Sequence, residues 1–324
     1  MANSAGVHIW GLPKITGIDD LTMHIHLSKF LIWRLVNNTG KFYRQVQIPK
    51  RNGTYRRIDC PSKTLTAVQR WILRSILERV PAHASAMAYY PGATPKKNAM
   101  RHARNYHMLA YDLKDFFPSI GRGRVFTIFR ALGYSDHVCH LLSSLCTLDD
   151  RLPQGAPTSP MISNIVCRKM DSRLARLAGL RSVAYTRYSD DITFTAKTSR
   201  QIHRVQALSK QIVAEEGFAL NSHKTRVVGR GHSLSVTGLA VLGDGQVRIT
   251  REYRRRIRAA VFRSVMEDDR RKVRQINTQI RGFEAHWTSI EKNARAVTSR
   301  WRGVFKRKKS KIRATTTASA SSAP

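Results

Sequence analysis

The chain has 324 residues, 42 % of them hydrophobic, which suffices for one large domain or two to three lobes. Lysine and arginine number 57 against 21 acids, a formal charge of +36 that opposes compaction unless a polyanion neutralises it, and nucleic acid fits that role. A membrane surface would instead attract a basic amphipathic helix or polybasic run, whereas this charge is spread along the chain, and no 18 apolar residues run together to span a bilayer.

The first residues lack a basic segment followed by an apolar run, so no signal peptide is expected and a cytoplasmic location is. Residues 20 to 38 place Leu21, Ile25, Leu27, Phe30, Leu31 and Leu35 at helical spacing. Two alternating runs flank Asn52-Gly53 and predict a β-hairpin. Leu65, Val68, Trp71, Ile72, Ile76 and Val80 line one side of a helix ended by Pro81. "HMLAYDLKDFF" (107–117) reads as a strand breaking into a turn; "GRVFTIFRALGY" (123–134) and "HVCHLLSSLCTL" (137–148) read as helices. An amphipathic helix is expected from about Met161 to Leu177, then a hairpin over "AYTRYSDDITFT" (184–195) and a helix over 202–217. "LSVTGLAVLGDGQVRIT" (234–250) reads as strands joined at Gly243-Asp244-Gly245. From 251 to 313 the pattern is helical, with 21 basic residues against 6 acidic ones, and "ATTTASASSAP" (314–324) reads as a disordered tail. Helices and strands interleave without a βαβ beat, so the fold class is α+β in several lobes. The four cysteines (Cys60, Cys139, Cys146, Cys167) show neither C-x-x-C nor zinc spacing and read as reduced, packed thiols.

Asp-Asp occurs four times, which provides an internal control. Asp19-Asp20 precedes a helix, where the dipole favours carboxylates. Asp149-Asp150 lies in a polar stretch before Pro153, and Asp268-Asp269 reads as a solvated ion-pair face in a helical segment. Asp190-Asp191 differs, because Val183, Tyr185 and Arg187 before it and Ile192 and Phe194 after it put the pair at the tip of a half-buried hairpin. Adjacent carboxylates there repel unless a cation joins them. A hard divalent ion such as Mg²⁺ wants several oxygens at about 2.1 Å, and Asp112, ending the run "MLAYD", supplies a third carboxylate. Two such ions, roughly 3.5–4 Å apart, would serve phosphoryl transfer. Asp115 reads as a helix-start cap.

These residues carry a resemblance. "YSDD" (188–191) resembles the Tyr-x-Asp-Asp box of reverse transcriptases, and "DLKDFF" (112–117) their first catalytic strand. "LPQGAPTSP" (152–160), "RRIDCP" (56–61) and "GFALNSHKT" (217–225) resemble further boxes in the family's order. "NAMRH" (98–102) and "VTG" (236–238) fit the Asn-Ala-x-x-His and Val-Thr-Gly signatures of bacterial retron reverse transcriptases. Ser189 departs from the alanine this group more often carries. The resemblance covers about residues 20 to 300.

The resemblance implies a right-hand polymerase. Its fingers would lie in 1–107, its palm, a ferredoxin-like antiparallel sheet plus helices, in 108–245 (with 124–150 helical and fingers-associated), and its helical thumb in 246–313. Such an enzyme would copy part of its cognate structured non-coding RNA into single-stranded DNA from a guanosine 2′-hydroxyl. The product would be branched RNA–DNA (msDNA), in antiphage defence with a separate effector and host ribonuclease H. Asp112, Asp190 and Asp191 would hold two Mg²⁺ ions, with Mn²⁺ as a substitute. Phe117 would exclude a ribose 2′-hydroxyl by steric clash, while Phe116 packs in the core. Gln154 and Gly155 would meet nucleotide and template, and Arg56 would clamp the triphosphate of the dNTP, with Lys50 or Arg51 as weaker choices. Tyr188 would pack below the primer end, and Lys224 would touch nucleotide phosphates or only the surface. Asn98, His102, Val236, Thr237 and Gly238 are assigned to RNA binding, with a capped structural histidine as the alternative for His102. Trp287, Trp301 and Phe305 would stack on bases or form thumb core. The competing readings are a group II intron-like or diversity-generating reverse transcriptase and a non-catalytic RNA-binding scaffold.

Overall fold

A computed structural model of the chain describes residues 11–49 and 53–320. In chain order the elements begin with α1 (Ile18–Ile25), α2 (Lys29–Asn37), β1 (Tyr43–Pro49), β2 (Tyr55–Pro61), α3 (Lys63–Ser75), α4 (Pro95–Met100) and β3 (His107–Asp112). They continue with α5 (Arg122–Ala131), α6 (Asp136–Cys146), α7 (Ser159–Val166), α8 (Arg168–Gly179), β4 (Ala184–Tyr188), β5 (Asp191–Ala196), α9 (Ser199–Glu215) and β6 (Arg226–Val228). Last come β7 (Leu234–Val236), β8 (Leu239–Val241), β9 (Val247–Ile249), α10 (Arg251–Met266), α11 (Arg270–Ile290) and α12 (Ala294–Ala320).

The described residues form two compact units, one within 11–94 with 106–230, the other of 95–105 with 231–320. In the first, β1 and β2 form an antiparallel hairpin, and a separate antiparallel sheet runs β4-β5-β3-β6. Helices α8 and α9 pack on this sheet. Strand β3 is buried along nearly its whole length, which is why "MLAYD" reads as an unbroken apolar run rather than an alternating one. Leu109, Tyr111, Ile192 and Phe194 join the core beneath it. A capping box fixes the start of α9: Thr198 accepts from the Gln201 amide while the Gln201 side chain accepts from the Thr198 amide. In the second unit β7-β8-β9 form an antiparallel sheet on which α4 packs, and α10, α11 and α12 pack on one another. Strands β7 and β8, which lie within the 108–245 read as palm in the sequence, group with β9 and the C-terminal helices. Three of the four free cysteines are buried, and burial pushes the Cys146 thiol up to about 12 and Cys139 and Cys167 up to about 11.

Several expectations are corrected. Residues 20–38 form two helices, because His26 adopts φ +56° at the end of α1 and Ser28 caps α2. The helix expected from Met161 to Leu177 is two segments divided at Cys167. Asp115 is no helix cap: it lies in a turn at φ +46°, and α5 begins only after Gly121. Asp268 and Asp269 lie between helices, where Asp269 caps α11 and Asp268 pairs with Lys309 at 2.7 Å. Helix α12 runs to Ala320, into the stretch expected to be disordered, since extending an existing helix costs far less than nucleating one.

Candidate active site

The register of the central sheet builds the site. In the antiparallel pairing of β3 with β5, Asp112 sits directly opposite Asp191. Strands β4 and β5 close as Tyr188 opposite Asp191, which leaves Ser189 and Asp190 as a two-residue turn. Ser189 takes φ +62° while Asp190 is not left-handed, the pattern of a turn matched to the strand twist. The turn is tied to the end of β3 because the Leu113 amide donates to the Asp190 carbonyl at 2.9 Å. All three carboxylates therefore come from one rigid corner.

Their electrostatics are those of crowded acids. Burial of its carboxyl, then the neighbouring Asp190 and Asp112, push Asp191 up to about 6, against the pull of Lys224 and Arg226. Asp191 nonetheless keeps an edge open to solvent. Lys224 donates from Nζ to Asp112 Oδ2 at 2.7 Å, so an ammonium neutralises the buried member of the group. Among the described residues no three His, Cys, Asp or Glu side chains are arranged around a single ion position. The donor chemistry still suits a hard divalent cation: three carboxylates on one corner, with a lysine already answering their charge.

Beneath the turn lies a buried charge network that the sequence reading missed. Arg187 on β4 and Asp171 on α8 are both inaccessible to solvent. Arg187 donates from Nε to Asp171 Oδ1 (2.9 Å) and from Nη2 to Oδ2 (2.7 Å), a two-point ion pair. Its Nη1 donates to the Ser189 carbonyl at 3.0 Å, which holds the Ser189-Asp190 turn from below. Its Nη2 also donates to Asn164, whose amide reaches the Ala88 carbonyl at 2.8 Å. Strand β4 is an edge of its sheet, and residues 85–87 run parallel along that edge. Arg187 donates to the Ser85 carbonyl and accepts from the Met87 amide. Asp171 falls among Met170, Leu174, Leu177 and Ala178 on the buried face of α8, so a carboxylate on an apolar stripe was the available signal.

After β3, Phe116 is core, as expected, and Phe117, the residue expected at the sugar, is half-buried beside it. Gln154 accepts the Asp59 amide on its carbonyl at 2.9 Å. A Cβ at Gly155 would lie 2.5 Å from the Asp59 carbonyl oxygen, and its φ is +137°. The glycine is thus required by close approach of β2, whatever else it meets. Arg56 is exposed on β2, opposite Ile48, while Arg57 pairs with Asp59 at 2.9 Å. Lys50 and Arg51 lie outside the described residues. Tyr188 is half-buried at the last position of β4.

Residues 48–243 match the family described as reverse transcriptase (RNA-dependent DNA polymerase). The retron Ec86 reverse transcriptase of Escherichia coli is 33% identical over 254 residues, which cover 78% of this chain and 79% of that protein. The chain belongs to the retron reverse transcriptases. Two relatives from Myxococcus xanthus, the retron Mx65 and Mx162 reverse transcriptases, are each 36% identical; the matches cover 71% and 78% of this chain but only 57% and 59% of theirs. It is an RNA-directed DNA polymerase of right-hand fold.

In this retron reverse transcriptase the two signatures of the group meet in the second unit. Thr237 (φ +48°) and Gly238 (φ +76°) are the two central residues of the β7–β8 turn, and a β-branched residue rarely takes that conformation. Thr237 Oγ1 donates to the Pro95 carbonyl at the start of α4 (3.0 Å), so Val-Thr-Gly is docked on the helix that carries Asn98. Of the residues expected at RNA, Asn98, His102 and Val236 have interior side chains, 1, 0 and 2 % exposed, while Thr237 and Gly238 reach the surface. Burial, with Arg101 adding to it, pushes His102 down to about 3, so it is neutral and structural. Trp287 and Phe305 are buried among α10 to α12 and serve as core rather than as stacking platforms. Trp301 lies 5.9 Å from Trp287, centroid to centroid.

Proposed function

We propose that Asp112, Asp190 and Asp191 form the metal-binding centre of this polymerase, and that it copies part of its cognate structured RNA into single-stranded DNA from a guanosine 2′-hydroxyl. The observation that carries the centre is the register placing Asp112 against Asp191 with Asp190 in the adjoining turn. Divalent cations bound there, Mg²⁺ foremost, would lower the pKa of the attacking hydroxyl and stabilise the leaving oxygen. The hydroxyl oxygen bonds to the α-phosphorus as its proton leaves, and pyrophosphate departs.

The chain's own residues supply the rest. Arg187 and the Leu113 amide hold the turn from two sides, so the carboxylates are placed before substrate arrives. Phe117 walls the sugar, Gln154 and Gly155 border the base pair, Tyr188 supports the primer end, and Arg56 meets the triphosphate. Lys224, which pairs with Asp112, would meet substrate phosphates. The α10–α12 bundle, rich in arginine and lysine, grips nucleic acid through phosphate contacts that position without specifying sequence. Self-priming, the separate effector, host ribonuclease H and the antiphage setting rest on likeness to the retron group alone.

The test is the linkage in the product. DNA made by the protein with its cognate RNA is isolated and treated with a debranching nuclease. Collapse to separate DNA and RNA supports 2′-priming; a product carrying only 3′–5′ linkages refutes it.

A further inference from the structure

The serine of the Tyr-Ser-Asp-Asp turn has a partner that an alanine could not have. The hydroxyls of Ser189 and Tyr89 share a hydrogen bond of 2.5 Å. Tyr89 ends the segment that runs along the edge of β4, where the Ser85, Met87 and Ala88 backbones are already tied to Arg187 and Asn164. Its ring lies against Phe117, with centroids 6.5 Å apart and planes tilted by 48°. Both partners occupy the left-handed region, Tyr89 at φ +70° and Ser189 at φ +62°. Such conformations persist in non-glycine residues only where the surroundings over-determine them. Tyr89 is 39 % exposed, so it bridges the catalytic turn and the surface beside Phe117 rather than filling the core.

We propose that Tyr89 and Ser189 form a positioning latch of the polymerase: the paired hydroxyls fix the height of the catalytic turn, and the Tyr89 ring braces Phe117 for deoxyribose selection. Tyr89 thereby becomes a determinant of sugar specificity as well as of turn placement. The inference rests on the reading of Asp190 and Asp191 as metal ligands and of Phe117 as the wall against the 2′-hydroxyl.

The two functions of Tyr89 separate by substitution. Tyr89→Phe keeps the ring and loses the hydrogen bond, as Ser189→Ala does from the other side, while Tyr89→Ala removes the brace. Extension of a primer on RNA is followed for the full chain with dNTPs and rNTPs over a range of concentrations. Tyr89→Phe and Ser189→Ala are each expected to lower kcat about three- to tenfold at unchanged dNTP KM, with the double variant no worse than either, because a single bond is lost. Preference for dNTP over rNTP should survive in Tyr89→Phe and fall about tenfold in Tyr89→Ala. Wild-type kcat in both single variants, losses that multiply in the double, or unchanged sugar preference in Tyr89→Ala would overturn the latch. Asp190→Asn run in parallel keeps the two readings apart. Synthesis in that variant overturns the metal-site reading, whereas its inactivity beside wild-type behaviour of the latch variants overturns the latch alone.

Discussion

Replacing Asp171 by asparagine tests the strut under the Ser189-Asp190 turn. Arg187 and Asp171 expose none of their side chains, and Asp171 accepts from Arg187 at 2.9 and 2.7 Å and from the Tyr185 hydroxyl at 2.7 Å. Asparagine keeps the shape but strands a guanidinium charge with no counter-charge, at a cost of about 3–5 kcal/mol. That is a large share of the roughly 5–15 kcal/mol by which domains are stable. The double replacement Arg187→Met with Asp171→Leu removes both charges and should recover much of that loss. It does not restore the donor to the Ser189 carbonyl, so kcat should stay about tenfold below wild type. Urea unfolding reads the first effect and single-turnover primer extension the second. Asp171→Asn within about 1 kcal/mol of wild type, or a double variant that regains both stability and rate, would refute the reasoning.

Three further outcomes follow from the same geometry. Gly155→Ala drives a methyl to 2.5 Å from the Asp59 carbonyl at a φ of +137°, so urea unfolding should show a loss of about 2 kcal/mol or more. His102 is neutral in the fold down to about pH 3 but protonated in the unfolded chain below its ordinary value of 6.5. The unfolded state therefore binds more protons between those values, and stability rises with pH through that window, by about 2 kcal/mol from pH 5 to 7. The stability difference between pH 7 and pH 5 should shrink by about that amount in His102→Asn, measured by urea titration at both values. Lys224→Met should move stability by less than about 1 kcal/mol, because the ammonium is more than half exposed, while lowering kcat/KM for dNTPs in steady-state extension.

The parts of the site legible in the sequence were those written in local pattern. The hairpin around Asp190-Asp191 announced itself by alternation and by β-forming residues on both flanks, and Asp112 by its place at the end of an apolar strand. What pattern could not show was pairing across distance. Arg187 meets Asp171 through tertiary packing of β4 on α8, Tyr89 meets Ser189 a hundred residues away, and Thr237 reaches back to Pro95. Local backbone choices were equally hidden. The left-handed turns at His26 and Asp115 break or delay helices whose apolar spacing continues past them. Asn98 and His102 entered only through the Asn-Ala-x-x-His signature, which carries no information on burial, and both are interior.

The most direct measurement of the central claim is DNA synthesis on cognate RNA with dNTPs and Mg²⁺ by wild type and by Asp190→Asn, with RNA affinity measured alongside. Wild type should extend, Asp190→Asn should not, and their RNA affinities should agree to within about twofold, since the charge that binds RNA lies elsewhere. Synthesis by Asp190→Asn at the wild-type rate would contradict it.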